Sequence, residues 1–293
     1  MFFTEWEVLL VDDEPDVLAI SKLAMKDFEV YGLPLKIHTA KSKAEAIEFL
    51  NHRPDHYLSR LAVIFTDVVM ESDTAGLELC HYIREDMDNR LTQLFVRTGQ
   101  PGTAPEREVI DRYDISGYFT KAETTEDKLY SLVKSGVRQY LWAMMAVGSY
   151  AILNHTIANA SSRHKIEATL QMIMAGWDSE GVLAQEQDAG GDNGIGYALL
   201  LDGKLIHAAG SVNEQSIKEQ LARLDQFESQ PLSPDGDRYV ADTNHNQLID
   251  IAAQPSNPPI QWFFRTTFEP PEYCITLFYS AFKNVAVIWQ QSS

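Results

Sequence analysis

Five polar residues stand at intervals that could bring them to one place. They are the adjacent pair Asp12 and Asp13, then Asp67, then Thr98 31 residues on, then Lys121 23 residues beyond that. Each follows a short apolar run: EVLLV before the pair, LAVIF before Asp67, LFV before Thr98 and GYF before Lys121. Three crowded carboxylates raise one another's pKa unless a cation sits among them. Hard oxygen ligands at a strand edge suit Mg²⁺, which takes one or two carboxylates and keeps several waters or phosphate oxygens. A lysine opposite can neutralise a phosphoryl group, and a threonine hydroxyl can hydrogen-bond one. Such a set supports phosphoryl transfer to a carboxylate, with metal and lysine stabilising charge on the equatorial oxygens.

The elements that would position these residues alternate between β and α patterns. Strands are predicted over Glu7–Val11, Leu35–Thr39, Leu61–Phe65, Leu94–Val96 and Gly117–Phe119. Helices are predicted over Pro15–Phe28, Ser42–Leu50, Ala75–Met87 and Pro105–Tyr113, with a long one starting at Thr125. Continuous apolar strands separated by helices predict an α/β fold, a five-stranded doubly wound parallel sheet. In such sheets function sits at the carboxyl ends of the strands, where the five polar residues fall.

The second half differs. A helix is predicted over 163–177, then a polar glycine-rich loop over 185–194. Gly196–Leu201 and Lys204–Ala209 flank Asp202-Gly203, a strong hairpin signal. An amphipathic helix over Glu214–Gln226 and strands over Arg238–Asp242, Gln247–Ala252 and Ile260–Arg265 follow; a loop carrying Pro255, Pro258 and Pro259 precedes the last strand, and Thr276–Gln290 closes as a helix. Antiparallel strands with flanking helices predict an α+β domain. The expected division is 1–124, 125–162 as a helical connector, and 163–293.

The chain has 293 residues and a formal charge of −18, with the acidic excess in both halves. So acidic a surface repels phosphate backbones, and no helix-turn-helix pattern stands out, so no nucleic-acid partner is expected. Two cysteines cannot staple a domain, and the N-terminal segment lacks a basic n-region; a cytoplasmic protein without a signal peptide is expected. No charged residue occurs from Gln139 to Ser162, but polar side chains break the stretch and only Tyr140–Leu153 is mainly apolar. A buried or self-associating helix is expected there, not a membrane span. Leu129, Leu132, Val133, Val137, Tyr140, Leu141, Met144, Val147 and Leu153 recur mostly at steps of three and four, which predicts a parallel homodimer through this helix.

The strings VLLVDDE, FTDVVM, VRTG and GYFTK resemble the receiver domain of two-component response regulators, from about Trp6 to Lys134. The resemblance implies a flavodoxin-like fold and assigns roles. Asp67 would be the phosphoacceptor. Asp13 would bind Mg²⁺ directly, with the Val69 backbone carbonyl as a further ligand, and Asp12 would act through water or shape the pocket. Thr98 and Lys121 would bind the phosphoryl group, and Tyr118 would be the aromatic switch. Val69 and Gln100 would tune dephosphorylation, one apolar and one neutral, implying slow loss of phosphate. The phosphodonor would be a sensor histidine kinase or a phosphotransfer protein.

Two departures stand out: Ala122 follows the lysine and Glu71 follows Met70, each where a typical receiver has proline. The Asp13–Asp67 interval also has extra residues around Tyr31–Pro34 and His52–Arg60. MESDTAGLELCHYIRE and VRTGQPGTAPEREVIDRYDI are similar to receivers that precede a GAF-like domain of unknown function, often followed by an HD-GYP phosphodiesterase. The second half would then be GAF-like, with a possible small-molecule ligand. No HD-GYP, EAL or kinase motif occurs, and the GGD within Ala189–Gly194 lacks the rest of a cyclase site. The leading expectation is therefore a non-enzymatic response regulator. The alternatives are a truncated or separately partnered cyclic-di-GMP phosphodiesterase regulator, and a sensor with a vestigial receiver.

Overall fold

The computed structural model describes residues 5–53, 60–99, 106–175, 194–252, 259–266 and 269–292. Two compact units divide the chain, one over Thr4–Met144 and the other over Met145–Ser293. The glycine-rich loop over 185–193, Gln100, Pro255 and Pro258 lie outside the described residues, as does most of the His52–Arg60 insertion.

In the first unit, β1 (Trp6–Val11), β4 (Leu61–Asp67) and β5 (Gln93–Thr98) are buried along their whole length. They are flanked by β3 (Leu33–Ala40) and β6 (Gly117–Thr120). These five are parallel, in the order β3-β1-β4-β5-β6. Counted among themselves that is 2-1-3-4-5, the flavodoxin-like doubly wound order. Alternation sorts the side chains. Leu9, Val11, Ile64, Leu94 and Val96 join one core cluster with Ala46, Leu50, Leu79 and Val109, from α2 (Lys43–Asn51), α3 (Ala75–His81) and α4 (Glu106–Tyr113). On the other face, α5 (Glu126–Ala158) passes close over β4 and β5: a Cβ on Gly136 would meet Val63 Cγ2 at 2.7 Å and Phe95 Cε2 at 3.1 Å.

The sheet has six strands, not five. β2 (Glu29–Val30) pairs antiparallel with Leu33–Pro34 at the edge. Tyr31 and Gly32, at φ 54° and 74°, turn the chain back, so the extra residues near Tyr31–Pro34 build a hairpin. A two-residue strand is too short for periodicity to reveal. The third helix also differs from expectation: after α3 it widens into a π turn over Tyr82–Asp86. There the buried Arg84 donates from Nε to the Asp114 carbonyl (3.0 Å) and from Nη1 to that of Asn89 (2.6 Å).

Along α5, Leu129, Val133, Val137, Tyr140 and Leu141 are buried, whereas Trp142, Val147, Tyr150 and Ile157 are exposed. Among the described residues, no helix is long and apolar enough to cross a membrane.

The second unit holds a six-stranded antiparallel sheet. Its strands are β7 (Gly196–Leu201), β8 (Lys204–Gly210), β9 (Ser229–Pro231), β10 (Arg238–Ala241), β11 (Asn246–Ile251) and β12 (Ile260–Arg265). Their order is β8-β7-β12-β11-β10-β9. Asp202 and Gly203, at φ 51° and 72°, make the β7–β8 turn at the predicted dipeptide. One face packs Ala198, Leu200, Val240, Leu248 and Phe263 with Ile217 and Leu224 of α7 (Glu214–Leu224), whose Asn213 cap accepts from Gln215 N and Ser216 N. On the other face Trp262 stacks on Phe264 and packs at tilted angles against Tyr197 and against Phe278 and Phe282 of α8 (Glu272–Gln291). The Tyr197 hydroxyl donates to the Met174 carbonyl of α6 (Arg163–Ala175).

A buried charge ties β1 to β3 and to the segment after α2. Glu7 of β1, 4% exposed, accepts Arg53 Nη1 at 2.8 Å and lies 2.7 Å from His38 Nε2. Burial pushes its pKa up, but His38 and Arg53 outweigh this and hold it at about 2, against an ordinary 4.5. The folded value is the lower one, so the stabilisation is complete above the unfolded value and fades as pH falls towards the folded one. Glu7→Gln is expected to cost on the order of 2 kcal/mol at pH 7, allowing for solvent screening. The gap to wild type should narrow as pH falls from about 4.5 to about 2. Urea midpoints at pH 7 and pH 3 check this, and equal midpoints at pH 7 contradict it.

Candidate functional site

Because β1, β4, β5 and β6 run parallel, the residues ending each strand meet along one edge of the sheet. Asp12 follows β1 and is fully buried; Asp67 ends β4 and is 4% exposed; Asp13 is exposed. One carboxylate oxygen from each of the three lies within 4.8 Å of the others, so the group can hold a metal ion. Lys121 Nζ reaches Asp67 Oδ2 at 2.8 Å, Asp12 Oδ2 at 3.0 Å and Glu14 Oε1 at 2.7 Å.

The loop carrying Lys121 takes its shape from a capping box in place of proline. Residues Lys121–Glu123 form a 3₁₀ turn. The Glu123 carboxylate accepts from the Thr120 N–H and hydroxyl, both at 2.9 Å. Glu71, also where proline was expected, accepts the Lys43 N–H at 2.9 Å, which ties the β4–α3 loop to the start of α2.

Asp67 Oδ1 accepts the Val68 N–H at 2.7 Å. The next turn of chain lies directly on this residue: a Cβ on Gly76, in the first turn of α3, would fall 1.7 Å from the Asp67 carbonyl oxygen. Only a residue without a side chain lets α3 start there.

The donor set fits a hard divalent cation. Asp12 Oδ1 accepts the Glu14 N–H at 3.1 Å and Lys121 Nζ at 3.2 Å. Oδ2 is buried and takes no hydrogen bond, since Lys121, though close, is poorly aligned. A buried carboxylate oxygen with unused lone pairs, among other carboxylates, is what an oxygen-seeking cation completes.

Burial pushes the Asp67 carboxyl above the usual range, with Lys121 opposing and Asp12 adding to the rise. Burial works against the Lys121 ammonium, but its bonds to Asp67, Glu14 and Asp12 outweigh it and raise its pKa. Glu14 is lowered by its bond to Lys121.

Thr98 is 1% exposed at the end of β5. Tyr118 is opposite Val96 on β6; its buried hydroxyl takes part in no hydrogen bond among the described residues, and burial raises its pKa with the Thr98 side chain opposing the rise. Val69 packs its side chain against the apolar core. The structure thus brings Asp12, Asp13 and Asp67 together, binds Lys121 to Asp12 and Asp67, and places Thr98 and Tyr118 on neighbouring strands. Sequence reasoning missed Glu14 as a lysine partner, although it is the third acid of the DDE string. It also missed Gly76 and Arg97.

No protein-family model matches the chain. A stretch of 172 residues is 42% identical to the 3'3'-cGAMP-specific phosphodiesterase 2 of Vibrio cholerae serotype O1, covering 58% of this chain and 32% of that protein. The chain therefore spans about a third of the curated relative it matches. Among solved structures, the signal receiver domain of an HD domain-containing protein from Pseudomonas fluorescens Pf-5 is 18% identical, covering 48% of this chain and 92% of that one, with a TM-score of 0.39. A response regulator receiver domain protein from Clostridium thermocellum is 17% identical over 46% and 95%, with a TM-score of 0.38.

The expectation of a non-enzymatic protein is corrected by this relative, which is itself named as a phosphodiesterase. That expectation rested on the absence of HD-GYP, EAL and complete cyclase strings from these 293 residues. Such an absence speaks only for the chain searched, because an active site can be carried by another segment or another subunit.

Proposed function

We propose that this chain is the phosphorylation-controlled part of a cyclic-dinucleotide phosphodiesterase system, with Asp67 as phosphoacceptor and Mg²⁺ as the cation. The observation that carries this reading is Asp67 Oδ2 at 2.8 Å from Lys121, beside Asp12 and Asp13. The phosphodiesterase half of the proposal rests on the name of the relative from Vibrio cholerae.

An Asp67 oxygen forms a bond to phosphorus as the donor's bond to phosphorus breaks, and the leaving group departs with that electron pair. Asp12, Asp13 and Asp67 would hold Mg²⁺, which would supply positive charge towards the transferring oxygens. Lys121 turns from the Asp67 carboxylate to the phosphoryl group, and Glu14 and Asp12 keep its ammonium in place. Thr98 and Tyr118 form the response element: the threonine takes a phosphoryl oxygen and the tyrosine follows it. A histidine kinase or phosphotransfer protein donates the phosphoryl group in the cytoplasm.

The second unit is read as a GAF-like sensory or interaction module, supported by its order of helix, hairpin, helix, strands and closing helix. The proposed domains remain 1–124, 125–162 and 163–293. Exposed Trp142, Val147 and Tyr150 on a charge-free stretch support homodimerisation through α5.

The test is hydrolysis of 3'3'-cGAMP and cyclic di-GMP by the native gene product, with and without beryllofluoride. Turnover that responds to beryllofluoride in wild type but not in Asp67→Asn supports the proposal. No turnover, or turnover indifferent to both, overturns it.

Val69 and Gln100 also make the aspartyl phosphate long-lived, since the Val69 side chain cannot hydrogen-bond an attacking water and that of Gln100 cannot take its proton. Val69→Asn combined with Gln100→Glu is expected to speed phosphate loss about tenfold, or ~1.4 kcal/mol of barrier. A decay followed by phosphate release that is no faster than wild type contradicts this.

A further inference from the structure

Arg97, the penultimate residue of β5, is 1% exposed and shares a sheet face with Phe65 and Asp67 of β4. Its Nη1 donates to Ser21 Oγ at 2.9 Å, and its guanidinium carbon lies 5.9 Å from the Phe65 ring centroid. Nε and Nη2 are buried and donate to nothing among the described residues. Nη2 lies 3.6 Å from Asp12 Oδ2, the oxygen that also takes no hydrogen bond. Arg84, nearly as buried, makes the contrast: its Nε and Nη1 are both taken by backbone carbonyls. A buried guanidinium with idle donors is costly, and an arginine cannot escape the cost by losing its proton.

We propose that Arg97 is a fixed buried cation that weakens divalent-ion binding at the acidic site and favours the phosphorylated state of Asp67. The proposal rests on the phosphoacceptor reading above. Its logic is charge. Three carboxylates face Lys121 and a second cation that cannot leave, so an incoming metal ion meets repulsion from below. A phosphoryl group adds negative charge to the same place and meets attraction. Both effects act at low dielectric, where a unit charge counts for more than in water.

The two effects have opposite signs, which separates them from a role in packing. Isothermal titration of Arg97→Met with Mg²⁺ alone is expected to show binding about tenfold tighter than wild type. Titration with beryllofluoride at saturating Mg²⁺ is expected to show binding about tenfold weaker. If Arg97→Met does not fold, Arg97→Gln, which keeps a donor for Ser21 and removes the charge, carries both measurements. Any result other than opposite changes overturns the proposal, including a parallel weakening from lost packing. Wild type binding neither Mg²⁺ nor beryllofluoride overturns the phosphoacceptor reading and this inference with it. Wild type binding both, with the variant unchanged, overturns this inference alone.

Discussion

The Asp67→Asn variant is expected to take up no phosphate from a small-molecule phosphodonor in the presence of Mg²⁺, while wild type is labelled. The amide nitrogen and oxygen are far weaker nucleophiles than a carboxylate, and the site offers no equivalent substitute. Asp12 is fully buried and engaged by Glu14 N and Lys121. Asp13 is exposed, and Glu14 is bound to Lys121. The fold should survive, because Asp67 pays for its burial with a raised pKa, and Lys121 keeps two other carboxylates when it is replaced. A thermal midpoint near that of wild type, with labelling lost, is the expected pair of results. Labelling that persists would remove Asp67 from its proposed role.

Gly76→Ala is expected to have the second-largest effect, and it acts on backbone. The added methyl would need to occupy a point 1.7 Å from the Asp67 carbonyl oxygen, 2.8 Å from its carbonyl carbon and 3.0 Å from Thr66 Oγ1. No side-chain rotamer relieves a clash with a main-chain carbonyl, so either α3 lifts from β4 or the Asp67 peptide moves. Overpacking ordinarily costs about 1–3 kcal/mol, and a collision with backbone belongs at the upper end or above it. The variant should lose about 3 kcal/mol or more in urea unfolding. Whatever remains folded should label poorly, because the Gly76 N–H to Val68 carbonyl bond at 3.1 Å fixes the turn after Asp67. Wild-type stability would contradict the close approach of α3 to Asp67.

The residues at strand ends were legible because a parallel β/α alternation leaves one place for them to meet. Asp12, Asp13, Asp67 and Lys121 needed only their strands and the order of those strands. The hairpin at Asp202-Gly203 was legible because both positions need φ above zero. What stayed hidden depends on approach distances. Gly76 reads as an ordinary helix residue until the first turn of α3 is seen on the Asp67 peptide. Arg97 falls just past the predicted strand Leu94–Val96, where nothing in the sequence marks it as buried, yet it lies beneath the acids. The loop at Lys121 lacks proline, and its replacement, the Thr120–Glu123 box, spans only four residues and is easily passed over. The catalytic expectation failed for another reason: motif searches see only the residues of the chain in hand, whereas the relative from Vibrio cholerae carries its name for a protein of which this chain spans about a third.

The central claim is that one carboxylate, Asp67, takes the phosphoryl group. Borohydride reduces an acyl phosphate to an alcohol and so turns a phosphorylated aspartate into homoserine, which peptide mass spectrometry locates. After exposure of the full chain to a phosphodonor and Mg²⁺, homoserine is expected at position 67 and at no other carboxylate. Homoserine at position 12 or 13, the five-carbon alcohol 2-amino-5-hydroxypentanoic acid at position 14, or no reduced residue anywhere under those conditions, would contradict the account.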